Sequence, residues 1–309
     1  MKKILTYTML ASLSLGTMAA SATPLFDIIV DYKPAGETVD NGAGNPNSPT
    51  EAFSARQIQL FGAAETFWES MLVGFEGIAN PTYNLTAWLT PEDGAYGSLA
   101  FAGPRAWETT TSGFDRATDG IMQFDADDFG ASAVSPQSEQ LFLDSAIHEI
   151  AHALGFGTQF SFNNLIDVNG NYIGANAVDA FNVEYGTSET SIALQDGGGH
   201  WDECWIKGLF GPCSPEDGSV NIGLFNDVEL MTPFAVDVPA TISPATIAAF
   251  SDLGYLTINP FTDVSLPLAA DIQYNVAVPA PATGSLLFAA MLGMYISIRR
   301  RSNSAIKVN

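Results

Sequence analysis

Apolar side chains recur along this chain with two different periods, and the change from one to the other outlines the fold. Ile58, Phe61, Ala64, Phe67, Trp68 and Met71 fall at helical spacing between Ser54 and Leu72, the mark of a helix with one buried face. Leu143, Ile147, Ile150, Ala151 and Leu154 repeat that spacing. They predict a second helix over Leu141–Leu154, stopping at Gly155, a residue suited to a helix C-terminus. Phe26–Tyr32, Tyr83–Leu89 and Ile121–Phe124 are short and apolar, as strands are. A shorter helix is expected over Ala175–Tyr185, and Pro34–Pro49 is a loop of Gly, Pro and Asn. The order strand, helix, strands, helix points to an α+β sandwich with the second helix beneath a sheet. Residues 261–277 show no strong period and read as a linker or a final strand, and no internal repeat is visible. A chain of 309 residues holds one substantial domain plus extensions.

The second helix carries the chemistry. It contains His148-Glu149-Ile150-Ala151-His152, and one further histidine, His200, completes the three in the chain. Residues four apart on a helix share a face, with Cβ atoms about 5–6 Å apart, so His148 and His152 can address one ion. Neutral imidazoles are common zinc ligands, and a catalytic zinc takes three protein ligands and keeps one position open. His148, His152 and His200 are the expected set. Glu149 leaves the helix beside the pair, where it reaches a water at the metal and not the metal itself, the place of a general base. The alternative for such a run is a solvated His/Glu pair; the buried helix and the third histidine argue against it. Asp144 and Asp202 are candidate acceptors for the second ring nitrogens. Calcium has weaker candidates. Asp167-Val168-Asn169-Gly170-Asn171 resembles the opening of an EF-hand loop, but its glycine is misplaced and the twelfth position lacks a glutamate. A polar turn is the better reading there, and solvated acids the better reading of Asp125, Asp127 and Asp128.

His148-Glu149-x-x-His152-x-x-Gly155-Phe156 resembles the start of the metzincin metallopeptidase signature. In the compact form of that signature a histidine stands where this chain has Thr158. The leishmanolysin-like peptidases depart in the same way: their third histidine follows an inserted module and precedes a tryptophan, as in Gly199-His200-Trp201. Glu229-Leu230-Met231-Thr232-Pro233 is similar to that family's Met-turn, and Ile242 through Tyr255 to the helix after it. Tyr172–Ala177, leading into Phe181, is similar to the short helix inserted in bacterial relatives. The resemblance spans Phe26 to Tyr255. It implies a metzincin-like α+β catalytic domain within residues 23–260, with a twisted mixed sheet over the zinc-binding helix and an insertion between the second and third ligands. It also implies Met231 beneath the imidazoles and an exported zinc endopeptidase acting on proteins or peptides. Ile121–Phe124 is the expected edge strand for an extended peptide. Gly197-Gly198-Gly199 permits the sharp turn that returns His200 to the metal. The alternative is a surface or extracellular-matrix binding protein on the same scaffold without turnover; the presence of Glu149 argues for catalysis.

Both ends read as addresses. Lys2 and Lys3, the apolar run Ile4–Met18 and Ala20-Ser21-Ala22 form a secretory signal peptide over residues 1–22, a membrane anchor being the alternative. Val278-Pro279-Ala280-Pro281-Ala282, the apolar run Gly284–Ile298 and Arg299-Arg300-Arg301 resemble the PEP-CTERM sorting tail in its VPAPA variant. That resemblance implies, for residues 278–309, a short transmembrane segment, transient inner-membrane association and cleavage by an exosortase-type enzyme of a Gram-negative bacterium. The run is short for a stable span, which needs about 20 residues; a lasting inner-membrane anchor is the alternative to release at the cell surface. Six of the eleven cations and no acid lie in these ends, so the remainder carries a charge of about −29 against −23 for the whole chain. That excludes nucleic acid, whose phosphates demand cations. In an exported protein Cys204 and Cys213 read as a disulfide, with metal ligation the weaker reading.

Overall fold

The computed structural model describes residues 26–40, 46–47, 49–79, 81–133, 137–195, 198–202, 229–233 and 239–273. The stretches read above as a signal peptide and a sorting tail, and Cys204 and Cys213, lie outside them. The chain divides into two compact units after Ala269, and only residues 270–273 of the second are described.

In chain order, β1 (Asp27–Tyr32), β2 (Val39–Asp40) and β3 (Pro46–Asn47) precede α1 (Ala55–Met71). β4 (Leu72–Phe75), β5 (Thr82–Thr90), β6 (Ala100–Thr109) and β7 (Asp115–Asp125) follow. Then come the short α2 (Ala126–Phe129), α3 (Glu139–Leu154), α4 (Ala175–Tyr185), α5 (Pro244–Asp252) and β8 (Tyr255–Thr257). Among the described residues no strand follows β8, and no helix is long and apolar enough to cross a membrane.

The architecture is mixed α/β on a mixed sheet, compatible with the α+β expectation. The main sheet has the order β1-β5-β7-β6, with β1, β5 and β7 parallel and β6 antiparallel to β7. Parallel neighbours need a crossover; the stretch containing α1 supplies it between β1 and β5. This arrangement corrects the expected edge. Ile121–Phe124 lies in β7, which pairs with β5 on one side and β6 on the other, so it has no free edge. Among the described residues the edge strands are β1 and β6, and Gly103-Pro104 in β6 interrupts any strand pattern in the sequence. Proline cannot donate to a ladder and is tolerated at sheet edges, so the residue that hides this strand also suits its position.

α1 starts where its sequence says it must. Ser54 Oγ accepts from Gln57 N–H and the Gln57 side chain accepts from Ser54 N–H, a reciprocal cap. α1 and α3 pack against each other. Trp68 Nε1 donates to Ile147 O at 2.8 Å, and Phe53, Phe61, Phe124 and Phe142 meet with centroids 4.8–6.3 Å apart. The last four carbonyls of a helix have no partner within it, and α3 ends deep in the core. All four are nonetheless satisfied. Ala151 O and His152 O accept from Gly155 N–H, with Phe156 N–H and Thr158 Oγ1 adding to them; Ala153 O accepts from Tyr83 OH and Leu154 O from Tyr255 OH. Gly155 makes the stop possible at φ +122°.

At the other end of α1, Glu65 accepts from Tyr32 OH at 2.8 Å beneath β1. Burial, with Glu69 and Asp27 adding like charge against the lowering effect of the Tyr32 bond, pushes its carboxyl up to about 7 from the ordinary 4.5. Between those values the folded chain holds a proton that the unfolded chain has released, so stability falls as pH rises across that window and stays lower above it. Glu65→Gln keeps the acceptor and removes the charge. It is expected to stabilise the protein at pH 8 by on the order of 1–2 kcal/mol after allowance for partial exposure, and by almost nothing at pH 4. Thermal unfolding at the two pH values checks this, and an equal gain at both would contradict it.

Candidate metal centre

α3 presents His148 and His152 on one face, as the four-residue spacing requires. His200 arrives from far along the chain, and three features of the intervening segment bring it there. First, α4 stacks on α5, its N-terminus held by Asp252. That buried carboxylate accepts from Tyr172 OH, Asn176 N–H, Asn176 Nδ2 and Ala177 N–H at 2.8–3.0 Å. Gly174, the residue before α4, offers no side-chain cap, so the cap comes from another helix. Second, Trp201 is fully buried and boxed by Phe156, Phe160 and Tyr172, with ring centroids 5.1–6.3 Å away. Third, Gly157 sits at φ +71°, and a Cβ there would collide with the Gly199 carbonyl oxygen. The backbone before His200 thus passes directly over Gly157. Gly198, at φ +76°, makes the expected turn, while Gly197 lies outside the described residues.

The three Nε2 atoms form a near-equilateral triangle: His148 to His152 2.9 Å, His152 to His200 3.0 Å, His148 to His200 3.1 Å. The remaining nitrogens decide what that triangle is. His148 Nδ1 stands 2.5 Å from Leu230 O, and His152 Nδ1 3.0 Å from Phe156 O. A carbonyl only accepts, so both Nδ1 atoms carry the proton and both Nε2 atoms present bare lone pairs. Two acceptors 2.9 Å apart cannot hydrogen-bond. Burial lowers His148 to about 4 and His152 well below its ordinary value; burial, with His148 beside it, lowers His200 to about 3. All three are therefore neutral at pH 7, the form that ligates metals. Lone pairs converging on one point repel, and a cation at that point converts the repulsion into bonds. The residues fit a metal ion, and among the described residues they are the one such group of three.

Glu149 turns from the same helix into the same cleft. Its Oε2 is buried without a hydrogen-bond partner. Burial, with Glu92 adding like charge, pushes its carboxyl up to about 8. The cleft has a volume of about 770 Å³, and its lining includes Leu99–Ala102 on the β6 side, Leu230, Pro233, the three histidines and Glu149.

Other expectations are corrected. Asp144 does not orient His148; it accepts from Gln140 Nε2 at 2.8 Å and Ala240 N–H at 3.2 Å, and main-chain carbonyls take the orienting role. Asp125 and Asp128 are fully buried, not solvated. Asp125 accepts from Glu92 and Asp127 N–H, and Asp128 from Tyr96 N–H and Gln137 Nε2, so the pair anchors the loop at the cleft's rim. With Asp127 they make no converging ligand group. Asp167 accepts from Asn169 and Asn171 N–H at 2.8 Å, the polar turn expected. Met231 is fully buried in the turn that carries Leu230.

No protein-family model and no curated protein matches the chain. The geometry therefore carries the functional argument.

Sequence reasoning overlooked Gly157, β6 and the two carbonyl acceptors. The first had a signal, since Gly155-Phe156-Gly157 places two glycines around one aromatic residue. The carbonyls had none, because every residue carries one.

Proposed function

We propose that this chain is an exported zinc endopeptidase of the metzincin type, similar to the leishmanolysin-like enzymes. The observation that carries the reading is the triangle of bare Nε2 atoms with Glu149 in the same cleft. Zinc takes imidazole nitrogens at ~2.0–2.1 Å, which spaces such ligands roughly 3.3 Å apart, close to the edges found here. Once bound, zinc supplies Lewis-acid chemistry, polarising the scissile carbonyl and acidifying a water.

The chain's own residues do the rest. Glu149, as the carboxylate beside the cation, takes the proton of the attacking water and hands it to the leaving amine, a role worth about 10²–10⁴-fold. Leu230 O and Phe156 O hold His148 and His152 in one tautomer. Among the described residues β6 pairs on one side only, and its start, with Leu99, lines the cleft. An extended peptide can therefore add to the sheet there, laying its scissile bond across the histidines. The intact Glu149 favours turnover over a binding scaffold.

The purified protein is expected to hold one zinc per chain and to cleave an unfolded protein. A chelator should abolish cleavage and added zinc restore it. His200→Ala should lose stoichiometric zinc, because the two remaining histidines leave the ion under-ligated. Metal analysis with mass-spectrometric detection of peptides checks both. Full zinc in His200→Ala, or chelator-resistant cleavage, would sink the assignment.

A further inference from the structure

The reaction leaves Glu229 without a task, although it is buried beside the centre. Its Oε1 accepts from Ser243 N–H at 3.2 Å, Ser243 Oγ at 3.1 Å and Thr246 Oγ1 at 2.6 Å. Its Oε2 accepts from Met231 N–H at 2.6 Å. The carboxylate thus joins the turn Glu229–Thr232 to the first turn of α5. Burying a carboxylate is unfavourable unless donors surround it, and here donors from two elements do so.

Two lines run from this carboxylate to the metal ligands. The first passes through the turn. Met231 N–H fixes its backbone, Leu230 N–H donates to Thr241 O at 2.6 Å, and Leu230 O receives His148 Nδ1. The second passes through α5. Thr246 Oγ1 donates to Glu229 and accepts from Trp201 Nε1 at 2.7 Å, while Trp201 N–H donates to Met231 O at 3.0 Å. Trp201 follows His200 directly in the chain. We propose that Glu229 is a positioning residue for the metal centre, setting His148 through the Leu230 carbonyl and His200 through Thr246 and Trp201.

The inference rests on the metal-centre reading above and extends it. Loss of the carboxylate leaves Met231 N–H and the Thr246 hydroxyl without their acceptor. The turn relaxes, Leu230 O shifts from His148, and Trp201 loses the relay behind it. Partners of this kind around metal ligands are worth about 10–100-fold in metal affinity. A carboxylate that merely held the fold together would behave differently: its loss would lower the unfolding temperature while the folded protein bound zinc as before.

The test is a zinc titration of the purified full chain against a chromophoric chelator, paired with the visible spectrum of the cobalt(II) form. Four proteins are compared: wild type, Glu229→Gln, Thr246→Val and Thr246→Ser. Glu229→Gln sets an amide donor against donors and should weaken zinc by about 10–100-fold and alter the cobalt bands. Thr246→Val removes the hydroxyl that links Glu229 to Trp201, leaves the branch through Met231 N–H in place, and should weaken zinc by about tenfold. Thr246→Ser keeps the hydroxyl and should match wild type in affinity and spectrum. Folded Glu229→Gln with wild-type affinity and bands would overturn the inference, as would Thr246→Val indistinguishable from Thr246→Ser. If Glu229→Gln does not fold, the two Thr246 variants decide alone. A wild type that binds no zinc would instead overturn the metal-centre reading, an outcome distinct from variants that equal a zinc-binding wild type.

Discussion

Glu149→Gln is expected to lower peptide hydrolysis by about 10²–10⁴-fold while one zinc stays bound per chain. Glutamine has nearly the shape of glutamate but cannot accept a proton. His148 and His152 on either side of it in the helix are oriented by Leu230 O and Phe156 O, neither of which the substitution touches. Glu149 Oε2 makes no hydrogen bond to the protein, so little structure depends on the charge. The fold and the metal should both survive. Initial rates on an unfolded protein substrate, with zinc content measured on the same sample, give the answer. Turnover near wild type would show that the proton goes elsewhere, and loss of zinc would show that Glu149 belongs to the ligand set.

Gly157→Ala is expected to weaken zinc binding by on the order of 10²-fold, although residue 157 touches no ligand. The new Cβ would occupy the space of the Gly199 carbonyl, and Gly199 is bonded to His200. Either His200 withdraws from the triangle or the insertion shifts from α3. The backbone at φ +71° adds about 1–2 kcal/mol of strain for a residue with a side chain. Gly170→Ala separates the two effects. Gly170 also has a positive φ, +88°, but a Cβ there meets nothing within 4 Å. It should therefore lose similar stability and keep full zinc affinity. Equal zinc affinity in both variants would mean that the contact between 157 and 199 does not place His200.

Where the sequence could be read, local chemistry was in command. The spacing of His148 and His152 is a property of one helix, whose apolar stripe and terminal glycine lie in the same short stretch. α1 is delimited by the Ser54/Gln57 cap and its own apolar face, and α4 falls at Ala175–Tyr185 as the pattern indicated. β6 was missed because an edge strand lacks the uniform apolar pattern of a buried one. Its position also moved the expected peptide-binding edge away from β7. Asp125 and Asp128 misled because a run of acids reads as solvated, whereas main-chain amides from residues 92 and 96 surround them in the fold.

The sequence by itself determined the inventory of the centre: three histidines, a glutamate beside two of them, and the helix that aligns that pair. These depend on contacts within four residues, which the order of side chains specifies directly. Tertiary structure alone decided that His200 completes the triangle, that carbonyls and not Asp144 meet the Nδ1 atoms of His148 and His152, and that Glu229 joins the turn carrying Leu230 to α5. Apart from the His152–Phe156 contact, the contacts at the histidines join distant stretches, His148 to His200 across 52 positions and to Leu230 across 82. Most depend on how a buried chain satisfies its own backbone groups, a demand every residue shares and no residue type announces.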